Sequence, residues 1–136
     1  LIAPQGWSST VTLTITPIYA AVLALIYVAL AINVIRGRQR HRVLLGTGSA
    51  PDLEQRVRAH GNFAEYAPFT LLLLAMDEAR GAPALMLHIL CLALLLGRLS
   101  HAVSLLGSAQ ILPARVAGMV LTFAALVGAA LGVLIR

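Results

Sequence analysis

The run VAGMVLTFAALVGAALGVLI at residues 116–135 carries no charged side chain. A helix needs about 20 apolar residues to cross about 30 Å of hydrocarbon, and this run supplies them. Three further stretches follow the same pattern. One extends from Val11 to Ile35, with IYAAVLALIYVALAINVI at 18–35 as its cleanest part. A second, from Val57 to Met76, is polar in its first half. The third, from Pro83 to Leu106, is interrupted only by His88, Arg98, Ser100, His101 and Ser104. Lipid offers no hydrogen-bond partners, so backbone groups must be satisfied within each segment, and the stretches predict helices. The alternating ten-residue segments of a membrane barrel are missing. By length all four stretches can span a bilayer.

Composition narrows the choice further. Hydrophobic residues make up 60% of the chain and charged residues 11%, against about 45–50% and about 25% in soluble domains. That excess excludes a disordered chain, a coiled coil and a cytosolic enzyme. At 136 residues the chain is one domain. The expected architecture is an all-α, integral membrane four-helix bundle over residues 1–136, with helices at about 11–35, 52–79, 83–106 and 114–135. The first stretch has too long an apolar core for a cleaved signal peptide, and its positive charges follow it rather than precede it. The chain opens on Leu1 rather than Met, which leaves its true start open.

The net charge is +5, and every basic side chain apart from histidine is arginine. These arginines punctuate apolar runs instead of forming a solvated face, so nucleic acid is not the expected partner. Arg36, Arg38, Arg40, Arg42 and Arg56 crowd the first connection, and the third ends in Arg115. The positive-inside rule places both connections in the cytoplasm and both termini outside. Trp7 stands where an interfacial anchor is expected. The turn Gly46-Thr47-Gly48-Ser49-Ala50-Pro51 lacks the Lys-Ser/Thr ending of a phosphate loop. Cys91 reads as a small packed residue, and no His, Cys, Asp or Glu grouping has metal-ligand spacing.

The chemistry concentrates in the second helix. Arg58, Asn62 and Glu65 are spaced by four and three residues, which puts them on one helical stripe. An ionisable side chain in a membrane helix costs a few kcal/mol and faces protein or a wet cavity. Arg58 and Glu65 can offset each other there, and a polar seam that only fixes packing is the competing reading. Arg98 and His101 share a face of the third helix. Arg115 opens the fourth helix, where a snorkelling interfacial arginine is the alternative. His60 and His101 could each act as a base, with no Ser or Cys nucleophile beside either. His88 reads as a packing or hydrogen-bonding residue. With Arg36 and Arg38, the candidates fall in the cytoplasmic halves of their helices, and the outer halves are expected to be almost free of polar groups. An arginine-rich cluster with one or two acceptors complements a small, multiply anionic ligand, because guanidinium forks pair with carboxylates.

The stretch Arg58-Ala-His-Gly-Asn62-Phe-Ala-Glu65-Tyr66-Ala-Pro68 resembles the signature of the membrane-associated proteins in eicosanoid and glutathione metabolism (MAPEG), which carry Arg-x-x-x-Asn-x-x-Glu and then Pro in their second helix. Gly97-Arg98-Leu99-Ser100-His101 with Gly107, followed by Pro113-Ala114-Arg115, is similar to the third-to-fourth helix region of the family's prostaglandin synthase. The likeness covers nearly the whole chain and is greatest to small bacterial members. It implies a homotrimer in the bacterial inner membrane, with glutathione bound between subunits at a site facing the cytoplasm.

Residue by residue, the resemblance assigns glutathione binding to Arg58, Asn62, Glu65 and Tyr66. Arg38, with Arg36 as its rival, matches the basic residue that ends the first helix. Arg98 and His101 match polar positions lining the same site. Arg115 matches, across a one-residue gap, the arginine that stabilises the glutathione thiolate. Three positions depart from the eicosanoid enzymes: Leu105 and Met119 stand where tyrosines occur, and Val116 where Ser occurs. The implied activity is a glutathione-dependent transferase or peroxidase of detoxification, acting on a lipophilic electrophile. The thiol, with an ordinary pKa of about 8.5, would be acidified by a guanidinium and by the positive end of a helix.

A non-catalytic lipid- or glutathione-binding protein of the same fold is the alternative. A small proton-coupled drug exporter is a third reading. Exporters of that kind carry a glutamate in the first helix without a neutralising arginine, whereas Glu65 has Arg58 and Asn62 on its own stripe. Ala67, Gly97, Gly118, Gly128 and Gly132 are small enough to let helices approach closely in a trimer.

Overall fold

A computed structural model describes residues 12–107 and 111–136. Trp7 and part of the third connection lie outside the described residues. Four helices follow one another: α1 (Thr16–His41), α2 (Pro51–Ala79), α3 (Ala84–Leu106) and α4 (Leu112–Ile135). Short links make sequential neighbours antiparallel, and α2 packs against all three others. Three of the helices, α1, α3 and α4, are long and apolar enough to cross a membrane. The fourth, α2, is not, contrary to the expectation that all four qualify. Its first half spends its length on Asp52, Glu54, Arg56 and Arg58.

The onset of α1 is set from another helix. The apolar run begins near Val11, yet the helix starts at Thr16 with Pro17 in its first turn, where the missing proline N–H costs nothing. No side chain of α1 caps that end. The Glu78 carboxylate, from the last turn of α2, accepts hydrogen bonds from the backbone N–H groups of Thr14 (2.6 Å), Ile15 (2.7 Å) and Thr16 (2.8 Å). It satisfies orphan donors and meets the positive end of the helix together. Glu78→Ala is therefore expected to cost about 0.5–2 kcal/mol, the range of a lost N-cap. It should be read as a lower thermal midpoint in detergent; a midpoint equal to the parent's would mean water caps the helix equally well.

At its other end α1 continues six residues past Ile35 to His41, because arginine is a good helix former even where the apolar pattern stops. Arg42 ends it in the left-handed conformation (φ 54°), with its N–H directed to the carbonyls of Arg38 and Gln39. Along its length α1 buries only Thr16, Leu23, Leu30 and Gly37, one residue in seven. Such a seam is a single line of contact, and most other apolar side chains of α1 are exposed or half-exposed.

Polar groups clamp α1 to α2 at the arginine-rich end too. Gly37 leaves room for the stem of Arg56: a Cβ there would lie 2.8 Å from Arg56 Cδ. The Arg56 guanidinium reaches the main-chain and side-chain oxygens of Asn33. His41 Nε2 lies 2.8 Å from Asp52 Oδ1. The hydrogen bond from His41 holds the Asp52 carboxyl below its ordinary pKa.

The opposite end is not free of polar groups, which corrects the sequence expectation. Asp77 is fully buried and pairs with Arg136 at 2.6 Å. The Tyr19 hydroxyl and His88 Nδ1 lie 3.1 Å apart, which gives His88 the hydrogen-bonding role expected of it. These partners come from different helices, so spacing along the chain could not reveal them.

The closest helix pair is α3 with α4. A Cβ on Gly97 would stand 2.8 Å from the Gly118 carbonyl oxygen, and one on Gly118 would stand 2.7 Å from that of Gly97. The space at Gly128 is taken by Leu90, and that at Gly132 by Asp77. These small residues thus serve packing within one chain. Leu74, Leu87, Cys91, Leu94, Ala125 and Ala129 are fully or almost fully buried in the core between the helices.

Candidate functional site

Because α2 is polar along one stripe, that stripe cannot pack flat against apolar neighbours. It borders a cleft of about 840 Å³ at the arginine-rich end. From α2 the cleft is lined by Arg58, Asn62 and Glu65, together with Pro51, Glu54, Gln55, Val57 and Gly61. From α3 come His101 and Leu105, and from α4 Arg115. Gly61 keeps the wall open, with no atom within 4 Å of a Cβ placed on it. Five residues expected at the site thus share one cavity.

Arg58 does not pair with Glu65 as the stripe suggested. Its Nε lies 3.9 Å from Glu54, one turn back on the same helix, and both side chains are largely exposed. An exposed pair of this kind holds the guanidinium only weakly. Glu65 is exposed as well, so its carboxylate is open to a ligand.

Arg98 stands behind the cleft wall rather than in it. It is 1% exposed. Its Nε donates to Thr122 Oγ1 at 2.9 Å, and its Nη1 donates to Asn62 Oδ1 at 2.6 Å and to the Asn62 carbonyl at 3.2 Å. The Tyr66 ring lies 5.4 Å from its guanidinium carbon, within cation–π range. Tyr66 in turn meets Phe123 edge to face. Among the described residues no carboxylate pairs with Arg98. Its charge adds to the field of Arg58 and Arg115 from beneath, so three guanidiniums outweigh the two carboxylates of the wall. Its bond to Asn62 Oδ1 leaves the Asn62 amide N–H groups as the ones free to donate.

Arg115 sits in the first turn of α4, which has no acidic residue. The turn is tied to α3 by Ser100 Oγ, which donates to the Ala114 carbonyl at 2.8 Å. Among the described residues, no carboxylate lies within ion-pair distance of Arg115. His101 is buried against Gly118 and still reaches the cleft.

Arg38 lies elsewhere. Its Nη1 donates to the carbonyls of Leu44 (3.3 Å) and Gly46 (2.8 Å), so within one chain it shapes the first connection and does not line the cleft. Its rival Arg36 is exposed on α1. His60 stacks on Tyr27 of α1, with ring centroids 4.7 Å apart, and takes no part in the cleft. Sequence reasoning missed Glu54 and Thr122, and the bond by which Ser100 ties α4 to α3. Only Glu54 left a trace, as an acid four residues before Arg58. Among the described residues, no group of His, Cys, Asp or Glu is placed to hold a metal ion.

The arginines can pair with carboxylates, the free glutamate with an ammonium group, and the amides between them can donate and accept hydrogen bonds. The apolar Leu105 adds no hydrogen bond where a tyrosine would.

The MAPEG family model matches residues 16–135. The chain is also similar to inner membrane protein YecN of Escherichia coli strain K12 and to its counterpart in E. coli O6:H1. Each is 37% identical over 87 residues, which is 64% of this chain and 66% of the relative, a little under two thirds of its length. No solved structure matches the chain.

Proposed function

The chain belongs to the MAPEG family, and from that premise we propose that it binds glutathione in the cleft between α2, α3 and α4 and delivers the thiolate to a lipophilic electrophile. It is a membrane protein, with three helices fit to span. The observation that carries the reading is the meeting of Arg58, Asn62, Glu65, His101 and Arg115, from three helices, around one cavity. In this reading the arginines take the carboxylates of glutathione and Glu65 its ammonium group. Asn62, oriented by Arg98, donates to the peptide.

Arg115 faces the sulfur. Its guanidinium and the first turn of α4 favour the thiolate over the thiol. The S–H proton leaves to water through the open mouth. The thiolate forms a C–S bond with an electrophile supplied by the bilayer, and the leaving group departs with its electron pair. The protein contributes position and charge, with no covalent step of its own.

The same reading has three copies assemble, with the cleft at the boundary between subunits and open to the cytoplasm. Arg58 and Glu65 are exposed at a helix face that hydrocarbon would not tolerate uncovered. Arg38 of a neighbouring copy would reach the ligand only by releasing the carbonyls of Leu44 and Gly46. Native mass spectrometry from mild detergent should show trimers, and monomers or dimers alone would count against the assembly.

Calorimetric titration of glutathione into nanodisc-embedded protein tests binding, and turnover of an aryl halide or lipid hydroperoxide tests catalysis. Saturable binding with turnover is expected. Binding without turnover would favour a non-catalytic role, a reading that Leu105 and Val116 support by withholding hydroxyl groups near the thiol. Glu65→Gln keeps the side-chain shape and removes the charge that meets the ammonium. A charge-assisted hydrogen bond is worth about 1.5–3 kcal/mol, so affinity should fall roughly 10- to 100-fold with little change in melting temperature. Unchanged affinity with a large drop in melting temperature would make Glu65 a packing residue.

A further inference from the structure

The connection between α1 and α2 presents two leucines to the outside. Leu44 is 92% exposed and Leu45 88%, the highest values among the exposed large hydrophobic residues described. Their position is built. The left-handed Arg42 turns the chain back, and the Val43 N–H donates to the Arg38 carbonyl at 3.0 Å. The Arg38 guanidinium then holds the carbonyls of Leu44 and Gly46. Residues 43–46 are thereby folded back beside the last turn of α1, at the level of Arg38.

That level fixes the depth of the leucines. The apolar run of α1 ends at Ile35 and Arg36 begins the polar part. A rise of about 1.5 Å per residue puts Arg38 roughly 5 Å beyond the last apolar residue, which is where headgroups meet acyl chains. Arg36, Arg40 and Arg42, within nine residues of the leucines along the chain, are exposed, and no acidic residue lies between Arg36 and Pro51. An exposed apolar tip next to exposed arginines matches a surface that is apolar below and anionic above.

We propose that the Arg42–Ala50 connection is an interfacial anchor: Leu44 and Leu45 insert at the acyl boundary while Arg36, Arg40 and Arg42 bind the phosphates of anionic phospholipids. The proposal does not rest on the glutathione reading, and it requires that Arg38 stay on the carbonyls of Leu44 and Gly46. It adds a lipid requirement at the link that leads into Pro51, on the lip of the cleft.

The test uses the full chain in nanodiscs of phosphatidylcholine with or without phosphatidylglycerol. A fluorophore on Leu45→Cys is the probe, and Cys91, the chain's own thiol, is fully buried. Lipids brominated close to the headgroup should quench the label, and more strongly with phosphatidylglycerol, an increment that salt should weaken. Removal of both charges in Arg40→Gln/Arg42→Gln should reduce retained phosphatidylglycerol, measured by native mass spectrometry. Each arginine near an anionic surface contributes roughly fivefold, so the expected loss is roughly 25-fold. A label quenched only by a water-soluble quencher in both lipids would overturn the anchor. So would a label shielded from both quenchers, since a neighbouring subunit would then cover the leucines. Equal phosphatidylglycerol retention by parent and variant, both folded, would remove the role of the arginines.

Discussion

Replacing Arg115 by alanine is expected to lower turnover of glutathione with an electrophile by roughly 100- to 1,000-fold, the effect of removing one preorganised stabilising donor. Glutathione affinity should change far less, because Arg58, Asn62 and Glu65 hold the peptide from α2. The pKa of the bound thiol should rise towards about 8.5. The sign of the pH dependence follows. A thiolate stabilised by Arg115 persists below that pH, so the parent keeps its rate at neutrality. The variant's rate should climb as pH rises through the thiol pKa, and the gap should narrow. Ultraviolet thiolate absorbance against pH reads the shift directly. Arg115→Lys should rescue in part, since a point charge replaces a planar fork. If Arg115→Ala titrates and turns over like the parent, Arg115 is an interfacial snorkeller, and the thiolate partner must be sought at Arg38.

Gly118→Val should be the most damaging change to the fold. The new Cβ would stand 2.7 Å from the Gly97 carbonyl oxygen and 2.9 Å from the His101 nitrogen. Both are backbone atoms of α3, and neither can rotate aside. The Cβ alone already clashes with backbone and the methyl groups of valine add bulk to it, so α3 and α4 must separate. Overpacking of a core costs about 1–3 kcal/mol and sometimes more, a large share of the roughly 5–15 kcal/mol that holds a domain together. The same seam carries the Arg98–Thr122 and Ser100–Ala114 hydrogen bonds. Glutathione affinity should therefore fall together with the melting temperature. Gly118→Ala should be milder in both. A valine variant with the parent's melting temperature would show that the seam can open without loss.

Helix number and the second-helix stripe were legible because each is a local pattern. Charge-free runs mark α4, and the four-plus-three spacing brings Arg58, Asn62 and Glu65 to one cavity. The end of α1 was not legible, since hydropathy marks where lipid ends and hydrogen bonding decides where the helix does. Hydropathy also misjudged its beginning, because Glu78 fixes it from 62 residues away. Arg98 was recognised as polar and near the site, but its place behind Asn62 depends on the crossing of α2, α3 and α4. Ser100 stood in the run that carries the resemblance, but its bond to Ala114 could not be read there, and Thr122 carried no signal: a hydroxyl in an apolar helix looks the same whether or not it holds a neighbour.

The two clamps on α1 bear on how the protein meets membranes of different thickness. Glu78 pins the first residues of α1 to α2, and Arg56 with Asp52 pins its last turns. The helix they hold is 26 residues long, about 39 Å, against a hydrocarbon layer of about 30 Å. Sliding α1 along α2 would break one clamp or the other. A thinner or thicker bilayer must therefore be met by tilting the α1–α2 hairpin as one piece. The hairpin behaves as a strut of fixed length whose angle, and not whose register, adapts to its surroundings.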